Sequence, residues 1–447
     1  MLFDKTVSCV YENGKRITML SLSVPLFFEG IFLLLYNTVN TIILSNYSEL
    51  YVSAINVCVQ IANIAICIVQ MVIKGTVVIS SVSFGAKNYD RAAKIAFNGL
   101  IMVIFFSITC SIVLFFKAEC LCTLMGLCGE VKYIAIDYLK VYALFFVFLS
   151  TYSLFNNLLI CNGYSRYSMI IGVTSNILNA LLTYLFLHTE SFYGFSKIIG
   201  IALIGGIVQV LCVIISILIY AFKHCPFKIA FNYNLILNIF KLGIPAGMSI
   251  VLFSLSQTIT SGFIVALGIT FFNAKVYISN ILGYISKGSL AVGQAGGVLI
   301  GRYKGSCEYD KILKLFKQNI IISVMLNFFL SLLCFVFHKN LLRLFTNDKQ
   351  IIKLAAVIFL IDIILEIFRG VNHVCEHALN ACGDVKFTFT VSVVSCWFIC
   401  VFMAYCFGIT FGFGLVGIWI AFISDEVFRG VLYIIRLKRG RWKEINI

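Results

Sequence analysis

Charge is scarce in this chain. Only 12% of its 447 residues are Asp, Glu, Lys or Arg, while 61% are hydrophobic, against about 25% charged and 45–50% apolar in a soluble domain. That balance, with a mean hydropathy of +1.01, excludes a soluble globular fold. Acidic residues are the scarcest charge, 19 against 34 basic, for a net +15. Proline is nearly absent, at three residues, so little interrupts long helices. No cleavable leader is expected, because the first apolar stretch (17–44) is too long for one and has no small-residue cleavage site behind it, so it should remain as a span. Metal-ligand spacing is missing too. Most of the seventeen cysteines sit singly in apolar runs, as Cys58, Cys67, Cys110, Cys334 and Cys400 do, and read as small buried hydrophobes. Only Cys120, Cys122 and Cys128 share a loop where a disulfide could form.

What is present is hydrocarbon in long runs. Segments such as 101–116, 201–221 and 318–337 approach or reach the roughly 20 apolar residues that cross a bilayer. With polar loops as punctuation, about twelve helices are expected, near 17–44, 50–83, 92–116, 132–160, 166–188, 199–221, 236–266, 272–302, 313–337, 350–382, 387–408 and 413–436. An even number of spans puts both termini on one side. Lys and Arg concentrate at the N-terminus, in the 85–94 loop, the 222–235 linker, the 302–317 loop and the KRGRWK tail, which makes that side cytoplasmic. Lys339, Arg343, Lys349 and Lys353 argue against it, but the rule is a majority vote. A basic skirt beside anionic lipid accounts for the net charge without nucleic acid. The expected location is the plasma (inner) membrane, multi-pass.

The chain repeats itself. GAKNYDRAAK (85–94) returns as GSCEYDKILK (305–314), an offset of 220 (305 − 85) that also places Pro25 on Pro245 and Gly163 on Gly383. A shorter offset of 212 (417 − 205) matches ALIG (202–205) with GLVG (414–417), implying a loop about eight residues shorter in the second half. Each half then holds about six spans and both enter the membrane from the same side. The expected fold is an all-α membrane protein of two parallel six-helix lobes about a pseudo-two-fold axis along the membrane normal: N-lobe 1–221, cytoplasmic linker 222–235, C-lobe 236–447. Such a pair leaves a midplane cleft that opens to either side when one half rocks, which is transporter architecture.

GAKNYDRAAK superficially suggests the major facilitator loop, but Asp90 is five residues after Gly85 and no second Gly or basic pair follows. The stretches SVPLFFEGIFLLLYNTVNTIIL, SFGAKNYDRAAK, NGYSRYSMIIGVTSNILNALLTYLFL, IFKLGIPAGMSIVLFSLSQ, LIGRYKGSCEYDK, LLRLFTND, ALNACGDVKF, GFGLVGIWIAFISDEVFRG and RGRW, in that order, resemble the multidrug and toxin extrusion (MATE) family of cation-coupled exporters. The resemblance implies a secondary transporter, not an enzyme, moving an organic solute against Na⁺ or H⁺. No cofactor beyond the transported ion and no catalytic or metal site is implied. Membrane lipid and the solute are the expected partners, and the protein is expected to be a monomer.

The family's first span ends in an LYNxVDT-like motif whose Asp binds the ion; here LYNTVNT puts Asn40 there. An N-x-x-x-D pair of the fifth span becomes Asn179 and Thr183. Asn40 and Asn179 can offer oxygens to Na⁺ but cannot titrate. Glu29 and Lys74 fall at similar depth, roughly 18 and 15 Å from the cytoplasmic face at 1.5 Å per residue, and are expected to pair. Lys287 and Glu366 are likewise level. Asp362, Glu366 and Arg369 recur at i, i+4 and i+7 on one helix face. With Asn372 they resemble the D-x3-E-x2-R-x2-N stretch of one MATE subgroup, which also carries the DE-x2-R seen as Asp425, Glu426 and Arg429. The expected coupling site is Asp362 and Glu366, tuned by Lys287 and Arg369. Pro25 and Pro245 are expected to bend the first helix of each lobe. Two alternatives stand: a lipid-linked saccharide flippase of the same superfamily, which would want a cationic cleft, and an intramembrane metalloprotease suggested by HVCEH (373–377).

Overall fold

The structure, a computed structural model, describes residues 7–12, 15–188, 197–346 and 348–445. Asn347 of the LLRLFTND stretch lies outside them. A short antiparallel hairpin, β1 (Cys9–Glu12) and β2 (Lys15–Thr18), comes first, with Cys9 opposite Thr18. Helices follow: α1 (Met19–Tyr47), α2 (Glu49–Gly85), α3 (Tyr89–Phe116), α4 (Ala118–Leu124), α5 (Gly129–Cys161), α6 (Ser165–His188) and α7 (Lys197–Phe222). The second half contributes α8 (Tyr233–Leu267), α9 (Ile269–Gly305), α10 (Tyr309–Val336), α11 (His338–Arg343) and α12 (Lys349–Ala381). It ends with α13 (Val385–Val394), which runs on as two π-helical stretches (Ser395–Val401 and Ala404–Thr410), and α14 (Gly414–Arg439).

The offset of 220 reappears as helix boundaries. α2 and α9 differ by 220 at both ends (269 − 49, 305 − 85), as do α3 and α10 (309 − 89, 336 − 116) and α5 and α12 (349 − 129, 381 − 161). The short α4 and α11 start 220 apart (338 − 118). α7 and α14 are offset by 217 (414 − 197), so the second half is three residues short at that point, not eight. The repeated decapeptide is a turn built the same way twice. Its third residue, Lys87 or Cys307, takes a left-handed conformation with φ 55° or 60°, which reverses the chain between two helices. In the first copy Asn88 then caps α3, its side chain accepting from the Arg91 amide at 2.9 Å.

The two turn glycines explain themselves by contact. A Cβ on Gly85 would lie 1.8 Å from the Arg302 carbonyl oxygen, and one on Gly305 would lie 1.9 Å from that of Val82. Val82 and Arg302 are themselves 220 apart (302 − 82), so the contact is reciprocal between the two repeated segments. Only glycine permits backbones that close.

Contacts divide the chain into two compact units: Met1–Phe27 with Ser81–Lys87 and Met248–Ile447, and Phe28–Ser80 with Asn88–Gly247. In the first, residues 7–9 and 442–443 dock on the last turn of α9. The Tyr303 hydroxyl donates to the carbonyls of Val7 (2.9 Å) and Cys9 (3.0 Å), and Lys304 Nζ donates to those of Trp442 (3.0 Å) and Lys443 (2.8 Å). Trp442 is fully buried there. Gly440, with φ 70°, stops α14 and turns the tail back. In the second unit α2 meets α8 by the same close-approach device: a Cβ on Gly75 would lie 2.2 Å from the Ile239 oxygen, and one on Gly243 2.1 Å from that of Met71. All seventeen cysteines, Cys120, Cys122 and Cys128 included, are free thiols.

Nine of the described helices are long and apolar enough to cross a membrane by length and composition. α9, α12 and α14 are equally long but carry charge, and that is where the chemistry lies.

Candidate functional site

α12 turns one face toward α10 and α14, and its acids and bases recur along that face because 3.6 residues per turn brings i, i+4 and i+7 into line. Asp362, Glu366 and Asn372 are buried, with Arg369 at the margin. Each acid meets a different partner. Trp419 Nε1 of α14 donates to Asp362 Oδ1 at 3.0 Å. Asn327 Nδ2 of α10 donates to Glu366 Oε2 at 3.1 Å and to its main-chain carbonyl at 2.8 Å, while the Arg369 guanidinium binds Oε1. Gly370 lets α10 come this close, since a Cβ there would lie 2.9 Å from Ser323 Oγ.

The network continues into α14. Arg369 Nε reaches Glu426 Oε1 at 3.4 Å, and Asn372 Nδ2 donates to Glu426 Oε2 at 2.5 Å. Arg429 Nη2 bonds Asp425 Oδ2 at 2.5 Å and Glu426 Oε1 at 3.2 Å. Ser395 Oγ, in the first π-helical stretch, donates to Asp425 Oδ1 at 2.5 Å. Four carboxyl groups (Asp362, Glu366, Asp425, Glu426) thus share two guanidinium groups (Arg369, Arg429). Fully ionised, the cluster carries two negative charges that these bases do not balance, and low-dielectric surroundings make such an excess costly. Asp362 Oδ2 is buried with no hydrogen-bond partner among the described residues.

A cavity of about 190 Å³ opens onto this cluster, lined by Gln257, Lys275, Asp362, Arg369, Asp425 and Glu426 among others. Lys275 also donates to Ser261 Oγ at 2.7 Å. Lys287 is half-buried on α9 and is not bonded to Glu366 among the described residues.

In the first repeat Asn179 Oδ1 accepts from the Tyr36 hydroxyl at 3.0 Å and from Thr183 Oγ1 at 3.4 Å. Asn40 is half-buried, and its Oδ1 has no hydrogen-bond partner among the described residues. Glu29 receives Asn156 Nδ2 at 3.1 Å and Ser168 Oγ at 2.8 Å, so among the described residues its carboxyl oxygens meet neutral donors; Lys74 is half-buried on α2. Pro25 and Pro245 lie inside continuous α1 and α8. The HVCEH pair is used in packing. His373 Nδ1 is 2.9 Å from Ser289 Oγ, and the backbone at His373 and His377 packs on Gly293 and Gly297 of α9. Among the described residues no group of three His, Cys, Asp or Glu is placed to hold a metal.

Sequence spacing found the stripe on α12 and noted Asp425, Glu426 and Arg429 without joining them to it. Trp419, Asn327 and Ser395 were missed, since neutral donors on other helices leave no periodic signal. The repeat itself held a clue. Positions 220 before Asp362, Glu366 and Arg369 are Tyr142, Phe146 and Leu149, so the charges belong to one repeat only.

The family model described as MatE matches this chain twice, over residues 25–185 and 245–406. The matches begin 220 apart (245 − 25), at the two helix prolines. An uncharacterized transporter, YisQ, of Bacillus subtilis is 31% identical over 444 residues, covering 98% of this chain and 97% of its own. A probable multidrug resistance protein, NorM, of Thermotoga maritima is 24% identical, covering 96% and 93%. Among solved structures, the Vibrio cholerae MATE transporter VcmN superposes with a TM-score of 0.88 at 17% identity, covering 96% of this chain and 98% of that one.

Proposed function

The chain belongs to the MatE family, whose members are transporters and not enzymes, and from that premise we propose that it is a cation-coupled antiporter. An inward Na⁺ or H⁺ gradient drives export of an organic, amphipathic or cationic solute by alternating access. The observation that carries the reading is the charge imbalance: four buried carboxyls against two guanidiniums beside a cavity. Such a cluster takes up a cation or proton to become neutral, and releases it when the surroundings change. Asp362 and Glu366 are the binding groups. Arg369 bridges Glu366 to Glu426 and so links α12 to α14, which gives ion binding a route to helix packing. Coupling requires that ion and solute prefer different orientations of the transporter.

The flippase alternative asks for a cationic cleft. The cavity offers Asp362, Asp425 and Glu426 against Lys275 and Arg369, which favours coupled export. The experiment is efflux of fluorescent organic cations from proteoliposomes under separately imposed Na⁺ and pH gradients. One of the two gradients drives export in the native protein and fails to in Glu366→Gln. Export indifferent to both gradients refutes the reading.

A further inference from the structure

One half-buried acid takes no part in the cluster above. Glu29 of α1 lies in the unit formed by Phe28–Ser80 and Asn88–Gly247, and its two carboxyl oxygens are held by different helices. Asn156 of α5 serves Oε1 and Ser168 of α6 serves Oε2. Both donors are neutral, and Ser168 is fully buried. The α6 backbone closes over the group at Gly172, where a Cβ would lie 3.2 Å from Oε1 and 3.3 Å from Cγ. A larger residue at 172 would push the carboxyl out.

What could such a place bind? A hard metal cation wants about six oxygens around it. This site supplies four from side chains: two from Glu29, one from Ser168 and, if its amide turns, one from Asn156. The α6 backbone occupies the space where others would stand. A proton needs none of this. The Ser168 hydroxyl can switch from donor to acceptor by rotating its hydrogen. Asn156 Oδ1, buried without a hydrogen-bond partner among the described residues, becomes an acceptor for a carboxyl hydrogen when the amide turns over. Both protonation states are therefore accommodated with the backbone unmoved. Ionised carboxylates held only by neutral donors are costly in hydrocarbon, and a bound proton removes that cost. Tyr152 of α5 is a titratable group close enough to feel the Glu29 charge, and Lys74 is the basic residue of α2 in the same unit. The second repeat has no copy, since positions 220 later are Ser249, Glu376 and Thr388.

We propose that Glu29, with Ser168 and Asn156, forms a proton-binding site in the first repeat, separate from the carboxylate cluster of the second. The site exists whether or not that cluster couples transport; only its use during export rests on the antiporter reading.

Infrared difference spectra of the full-length protein in lipid nanodiscs, taken between alkaline and acidic pH, test it directly. A carboxylic-acid carbonyl band appears on acidification, is absent in Glu29→Gln, and persists in Glu366→Gln. Ser168→Ala, which keeps the acid and removes a donor to its ionised form, moves the band's midpoint up by about one pH unit. Sodium added at fixed pH leaves the band in place. The proposal is overturned if Glu29→Gln shows every band of the native protein, or if sodium alone abolishes the Glu29 band. Should Glu29→Gln fail to fold, an unmoved midpoint in Ser168→Ala overturns it as well. Loss of gradient-driven export with these spectra intact would count against the antiporter reading alone.

Discussion

Arg369 is the residue on which the cluster turns, because it serves Glu366 and Glu426 from one side chain. Replacing it with Met leaves buried Glu366 without a charged partner and Glu426 with Arg429 alone, and is expected to cost about 3–5 kcal/mol. A large fall in melting temperature in detergent, at neutral pH, is the check; an unchanged melting curve would mean that the carboxyls are already neutral there. Glu366→Gln is the milder change. It keeps an oxygen for Asn327 and removes one negative charge, so the protein should fold and melt close to native while gradient-driven export stops. The α12 stripe was legible in the sequence because one helix face repeats at i, i+4 and i+7. Its partners were not: Trp419 is 57 residues from Asp362 and Asn327 is 39 from Glu366, and nothing local announces such pairings. Glu29 shows the same limit. Its depth could be read from helical rise, but its donors Asn156 and Ser168 stand 127 and 139 residues away.

Among elements, glycine decides how near two helices come. Gly85 and Gly305 each face the other helix's carbonyl at a distance no Cβ tolerates, so Gly305→Val must separate the ends of α2 and α9. Overpacking of this kind costs about 1–3 kcal/mol, read as a lower melting temperature, and Gly262→Ala, where a Cβ meets nothing within 4 Å, should be close to silent. Equal effects at the two positions would remove the packing argument. The cap of α3 offers a smaller test: Asn88→Ala loses the bond to the Arg91 amide and about 1 kcal/mol. Helix existence and most boundaries were legible, since hydrocarbon length and polar punctuation dictate them. The β1–β2 hairpin was not. Its strands are four residues each and carry no core of their own; they form against α9, through Tyr303.

For the molecule as a whole, duplication and departure from duplication carry separate meanings. Helix ends repeating at 220 residues reflect a shared backbone plan, which the paired decapeptides and prolines already revealed. The departures mark where the halves differ in chemistry: Tyr142 and Phe146 stand where the second repeat has Asp362 and Glu366. Cation uptake is therefore expected to be dominated by the second repeat, with the Glu29 carboxyl as the first repeat's contribution. Counting cations bound per chain in the purified full-length protein, by proton uptake on acid titration and by radioactive sodium binding, measures this most directly. The account predicts that the Asp362→Asn, Glu366→Gln double variant binds at least one cation fewer than the native protein while remaining folded. Equal binding by the two proteins would contradict it.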